Sequence, residues 1–184
     1  MLQYLIEGLR ERAPLRRSES EMATLLDDVC AGWSLDRPLL SRAADYTRTC
    51  AYSDDLFEVL LLNWAPGSAS PIHDHGRQLC WMLVLDGSLR VDDYVRLDAA
   101  DVAGYARVRP CESRVLEAGG LDLRSRPFDL HRVAASGQSK ALSLHVYSRP
   151  LRSFLVYDEL AERCESALGT YDAVLPAYTG VLPR

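Results

Sequence analysis

After Tyr46 the chain breaks into short apolar runs parted by turn residues, a succession that folds into few things other than a β-barrel or a double-sheet sandwich. Residues 56–64 (LFEVLLLNW), 80–85 (CWMLVL) and 89–97 (LRVDDYVRL) predict strands. Asp86-Gly87 between the last two is a strong short hairpin signal. Further strands are expected near 114–116, 128–134, 141–148 and 154–157. The first forty-odd residues have a different texture. Leu2, Leu5, Ile6 and Leu9 recur at helical spacing until Pro14 closes the segment. Ser18 stands three residues before Glu21, as in a capping box opening a second helix through about Cys30, and a third short helix is expected at 38–44.

The expected fold is therefore mainly β, with N-terminal α-helices packed against a small barrel. No repeat or linker divides the chain, and 184 residues suit one domain: 1–45 helical, 46–158 barrel, 159–184 a C-terminal tail. A hydrophobic content of 48% is ample for its core. Lys+Arg 21 against Asp+Glu 26 leaves −5 with no block of like charge, which argues against a nucleic-acid partner, since that would need a concentrated basic face. No apolar run approaches the ~18 residues of a membrane span, and the N-terminus lacks the pattern of a secretory signal. The five cysteines are odd in number and scattered, which suits free thiols in a reducing compartment, and a cytoplasmic location is expected.

Four histidines are present: His73, His75, His131 and His145. His73 and His75 lie two apart beside a predicted strand, so their side chains point the same way, and the other two fall in separate later strands. A barrel could bring three imidazoles onto one metal; residue type alone leaves Zn, Fe, Cu and Ni open. On the pair alone, two ordinary loop histidines are the competing reading.

The spacing around the pair decides between them. Gly67, five residues, His73-Asp74-His75, four residues, Cys80, six residues and Gly87 together resemble the first motif of the cupins. Every position agrees except the usual glutamate, where Cys80 stands. Pro127 to His131 approximate the second cupin motif with one residue missing, Asp129 where glycine is usual and Ala135 where asparagine is. The resemblance implies a cupin fold, the small barrel also called a double-stranded β-helix.

Within the cupins, PIHDHGRQLCWMLVLDGSLR, LHRV at 130–133, SLHVYSRP at 143–150 and YTR at 46–48 resemble the cysteine dioxygenases, over roughly residues 46–151. That resemblance implies iron(II) on His73, His75 and His131, and conversion of L-cysteine and O2 to cysteine sulfinic acid. It assigns the substrate carboxylate to Arg48 in the stretch that begins at Tyr46, a thioether crosslink to Cys80 and Tyr147, and an outer hydrogen-bonded chain to Ser143, His145 and Tyr147. The implied partners are a small thiol carboxylate and O2, acting on a monomer or weak homo-oligomer.

The residue types suit these roles. A guanidinium fork meets a carboxylate with two parallel hydrogen bonds. Ser143, His145 and Tyr147 alternate along one predicted strand and share a face. A Ser/His/Tyr series also suggests a nucleophilic triad, but no nucleophile elbow or oxyanion-hole glycine run accompanies it. Without the motif, Cys80 would read as a small buried hydrophobe and Tyr147 as a core tyrosine. Trp64 reads as a packing residue at one end of the barrel.

One departure bears on the substrate. Ser148-Arg149-Pro150 replaces the Ser-Pro-Pro common in the family, so either the Ser148–Arg149 bond is cis or the turn is rebuilt. Arg149 then either meets a second substrate carboxylate or faces solvent, which keeps mercaptosuccinate and 3-mercaptopropionate open beside cysteine. A cupin that binds a small ligand without catalysis is the other class of function; it would not need Arg48, Cys80 and Tyr147 together.

Overall fold

A computed structural model describes residues 1–33, 45–98, 102–124, 126 and 129–175. The helix expected at 38–44 and the start of the second cupin motif, Pro127 and Phe128, lie outside the described residues. Two helices open the chain, α1 (Leu2–Glu11) and α2 (Glu19–Ala31). In α2 the capping box forms as expected: the Ser18 hydroxyl accepts from the Glu21 N–H while the Glu21 carboxylate accepts from the Ser18 N–H.

Among the described residues thirteen strands follow: β1 (Thr47–Ser53), β2 (Glu58–Trp64), β3 (Ile72–His73), β4 (Cys80–Asp86), β5 (Ser88–Arg96), β6 (Gly104–Tyr105), β7 (Val108–Glu117), β8 (Leu121–Arg124), β9 (Leu130–Ala135), β10 (Ala141–Tyr147), β11 (Ser153–Asp158), β12 (Arg163–Leu168) and β13 (Ala173–Val174). They form two sheets, β13-β1-β2-β10-β4-β8 and β6-β12-β11-β3-β9-β5-β7. The β4–β5 hairpin turns at Gly87, whose φ is +72° and whose missing Cβ leaves room for the Lys140 carbonyl, 2.6 Å from where that Cβ would stand.

Strands β2 and β10 are buried along their whole length, because the first sheet is covered on both faces. Val59, Leu61, Leu144 and Val146 turn outward to meet Leu5, Leu9, Met22 and Leu26 of the helices. Leu60, Leu62, Trp64, Met82 and Val84 turn inward to meet Leu89, Val91 and Val133 of the second sheet. Each such side chain contributes about 1.5–3 kcal/mol by leaving water.

The segment expected as a C-terminal tail from residue 159 carries β12 and β13 among its described residues, the latter pairing in parallel with β1. Only Cys164 of β12 is buried and β13 is two residues long, so neither shows the apolar alternation by which a strand is read. Likewise β7, expected at 114–116, runs from Val108 to Glu117 with a mostly exposed, polar surface. No peptide bond among the described residues is cis, Ser148–Arg149 included.

Candidate active site

The second sheet supplies three histidines. His73 ends β3 and stands directly opposite His131 of β9. Two residues on, His75 is turned back toward them by Asp74, whose Oδ1 accepts from the N–H groups of Gly76 (3.0 Å) and Leu155 (2.9 Å). Gly76 has φ +55°, and a Cβ there would stand 2.2 Å from the Ser153 carbonyl oxygen, so the turn after the pair admits only glycine.

The candidate ligand atoms of the three side chains lie within 4.8 Å of one another. Nε2 of His75 and Nε2 of His131 face each other at 3.1 Å in a buried position. His73 Nδ1 lies 3.0 Å from the Pro71 carbonyl, which calls for a proton on Nδ1 and leaves Nε2 as a bare lone pair. Burial lowers all three: His73 to about 4, His75 and His131 well below the ordinary value. Buried, neutral imidazoles aimed at a common point fit a divalent transition ion.

The first sheet faces them with a different set. Tyr46, Arg48, His145 and Tyr147 line the same cavity as His73 and His131, with Leu62, Trp64, Val133, Leu151 and Phe154 as apolar wall. Nη2 of Arg48 is buried with no hydrogen-bond partner among the described residues. Its backbone is held by Asp172, whose carboxylate accepts from the Arg48 N–H while its own N–H donates to the Arg48 carbonyl, both at 2.8 Å. Tyr46 stacks on Trp64 with ring centroids 5.0 Å apart.

A hydrogen-bonded series runs along the inner face of β10. Trp64 Nε1–H donates to Ser143 Oγ (2.9 Å), and Ser143 Oγ lies 2.9 Å from His145 Nε2. His145 Nδ1 then faces Cys80 Sγ at 3.9 Å, and Cys80 sits directly opposite Tyr147 across the β4–β10 pair. His145 and Tyr147 stack on the same strand face, with ring centroids 6.2 Å apart. Burial lowers His145 to about 3 and raises both the Cys80 thiol and the Tyr147 phenol, leaving all three neutral at pH 7.

The structure thus brings together His73, His75, His131, Arg48, Tyr46, Cys80, Ser143, His145 and Tyr147. Arg149 is the exception and a correction: it is exposed and lines a separate surface depression with Asp55 and Gln78, because the chain turns outward directly after Tyr147. Sequence reasoning missed Trp64 as a donor to Ser143. It also missed Glu58, fully buried on β2, which accepts from the Tyr171 hydroxyl, and the carboxylate of Asp122 behind His131. The buried acid in an apolar strand was the visible signal for Glu58.

Two facing sheets with a three-histidine centre between them define a cupin, a double-stranded β-helix protein. An uncharacterized conserved protein with a double-stranded beta-helix domain from Klebsiella pneumoniae shares that fold, with a TM-score of 0.50 at 14% identity over 69% of this chain and 97% of its own. The profile of the family described as Cysteine dioxygenase type I matches residues 41–160, more than half of the chain. The chain belongs to that family. It is 31% identical to cysteine dioxygenase type 1 of Danio rerio over 104 residues, covering 56% of this chain and 50% of that protein. To the Homo sapiens protein of the same name it is 30% identical over 116 residues, covering 62% and 56%. The chain therefore spans about half the length of the curated relatives it matches. No helix among the described residues is long and apolar enough to cross a membrane.

Proposed function

We propose that this chain is an iron(II)-dependent thiol dioxygenase that converts L-cysteine and O2 to cysteine sulfinic acid. The observation that carries this reading is Nη2 of the half-buried Arg48, buried and without a hydrogen-bond partner among the described residues, in the same cavity as His73 and His131. A buried donor left without an acceptor is costly, and a substrate carboxylate would relieve that cost with charge-assisted hydrogen bonds.

His73, His75 and His131 would hold the iron. Bound there, it supplies the Lewis acidity that keeps a thiol deprotonated and the electrons that activate O2. With no carboxylate ligand, the centre keeps its positive charge for an anionic thiolate. Arg48 fixes the far end of the substrate, which orients its sulfur toward the histidines. Leu62, Trp64, Val133, Leu151 and Phe154 keep water from the cavity. Tyr147, held as the neutral phenol by burial, is a proton donor on the cavity wall, and Trp64, Ser143 and His145 fix the strand face that carries it. Both atoms of O2 go to sulfur, and the thiol proton is released to solvent as the sulfinic acid ionises.

The thioether crosslink would join Cys80 and Tyr147, which are cross-strand partners on β4 and β10. Joining the sulfur to the tyrosine ring removes the thiol hydrogen and one ring hydrogen, and O2 is the oxidant that takes them up. The five free cysteines accord with a reducing, cytoplasmic setting.

A second reading has its own observation. No carboxylate lines the cavity among the described residues, so a substrate ammonium group meets no acidic partner there. That favours a simpler mercapto acid such as 3-mercaptopropionate as the alternative substrate. The test is O2 uptake by the iron-loaded protein with L-cysteine, 3-mercaptopropionate and mercaptosuccinate side by side. Uptake with cysteine above the others supports the leading reading, uptake with 3-mercaptopropionate above cysteine moves the substrate, and no uptake with any thiol overturns the dioxygenase.

A further inference from the structure

Behind His131, on the side away from the cavity, lies a buried cluster of opposite charges drawn from both sheets. Asp122 and Arg124 come from β8, the edge of the first sheet; Asp93 and Arg114 come from β5 and β7 of the second. Arg124 donates from Nε to Asp122 Oδ2 at 2.8 Å and pairs through Nη1 with Asp93 Oδ1 at 2.6 Å. Arg114 bridges the same two carboxylates. Asp122 and Arg124 are 3% and 6% exposed, so these are desolvated charges rather than a surface network.

Joining the sheet edges would need only the arginine–aspartate pairs. Asp122 does something more. Its Oδ2 also stands 3.3 Å from Nδ1 of His131, a nitrogen that is buried and has no aligned hydrogen-bond partner among the described residues. His73 already has its Nδ1 on a backbone carbonyl; the corresponding atom of His131 is met by a carboxylate.

We propose that Asp122 is a positioning residue for the metal centre: it accepts the Nδ1–H of His131 and so presents Nε2 as the lone pair that binds the ion. This rests on the reading that the three histidines hold a metal, but not on the identity of the reaction. A histidine ligand whose far N–H is given to a carboxylate is fixed in tautomer and ring orientation and is a more basic ligand. The two guanidiniums make a buried carboxylate tolerable at that point, since an uncompensated one would cost several kcal/mol. They also share its charge, so the ligand is oriented without a full extra negative charge beside the metal.

Two measurements test this. In Asp122→Asn, the dissociation constant for iron(II), titrated anaerobically without thiol, is expected to rise about 10- to 100-fold. Asp122→Glu, which keeps the carboxylate where asparagine offers only a neutral amide oxygen, should recover part of the affinity. A constant within about threefold of the parent in a folded Asp122→Asn protein would overturn the proposal, because disturbing an inter-sheet pair alone does not change a ligand's tautomer. Should neither variant fold, the unsubstituted protein decides. Loaded with diamagnetic zinc(II) and labelled with 15N at histidine, it is expected to show a downfield, slowly exchanging Nδ1–H resonance from His131. A His131 spectrum with the proton on Nε2, or an Nδ1–H exchanging as freely as an exposed imidazole, contradicts the role. Absence of any metal binding in the unsubstituted protein would instead count against the three-histidine centre itself.

Discussion

Nε2 of His75 and Nε2 of His131 face each other across 3.1 Å, although the two residues are 56 apart in sequence and neither ring reaches solvent. Two neutral imidazoles can share only one proton along that line, and an ion bound by both removes the conflict. His131→Ala and His75→Ala are each expected to lose the metal, read by metal analysis of the purified protein. Full iron occupancy in His131→Ala would mean that the third ligand is misassigned.

Arg48 offers its guanidinium to the cavity. Arg48→Ala should leave iron content unchanged and weaken binding of a thiol carboxylate about 10- to 100-fold, the loss of a charge-assisted hydrogen-bond pair worth about 1.5–3 kcal/mol. Saturation kinetics over a wide substrate range measure it, and an unaltered KM would remove the carboxylate role. Arg149→Ala, lying outside the cavity, should leave kcat and KM as they are.

The buried histidines make the metal-free protein sensitive to acid. An unfolded chain takes up protons at the ordinary histidine value of 6.5, whereas folded His73 resists until about 4 and His145 until about 3. Between those values the unfolded state binds more protons, so stability rises with pH and falls on acidification below about 6.5. The thermal midpoint of the apoprotein should be level above pH 6.5 and decline as pH drops toward 4. A midpoint independent of pH across that window would show that these histidines are not held neutral by burial.

The segment after β12 braces Arg48 from behind. Tyr171 donates to the buried Glu58 carboxylate, and Asp172 clasps the Arg48 backbone. Tyr171→Phe leaves that carboxylate short of a donor, at an expected cost of about 1–3 kcal/mol in denaturant unfolding. No loss of stability would mean that water replaces the hydroxyl.

Much of the site could be read from sequence because its information is local. The run from Gly67 to Gly87 holds two candidate ligands, Cys80 and the hairpin glycine within one stretch, and SLHVY places three polar side chains on one strand face. The barrel followed from apolar runs such as those that became β2 and β4. Other features depend on contacts between distant strands. Asp93 sits in VDDYV and Arg114 in a charged strand, and both read as solvent-facing until β8 is brought against them. Arg149 stayed open between cavity and solvent for the opposite reason: adjacency to Tyr147 in sequence says nothing of which way the chain turns next.

The crosslink between Cys80 and Tyr147 is open to direct observation. Intact mass of protein turned over with thiol and O2 should be lighter by a hydrogen pair, and Cys80→Ser should abolish the change. An unchanged mass after many turnovers would leave the pair as cross-strand neighbours only.

The central claim, that both atoms of one O2 molecule reach the sulfur, is tested most directly by supplying 18O2 to the iron-loaded protein with L-cysteine and weighing the product. The expected result is cysteine sulfinic acid carrying two labelled oxygens. Unlabelled disulfide as the sole product, or sulfinic acid with one label and one solvent oxygen, would contradict the account.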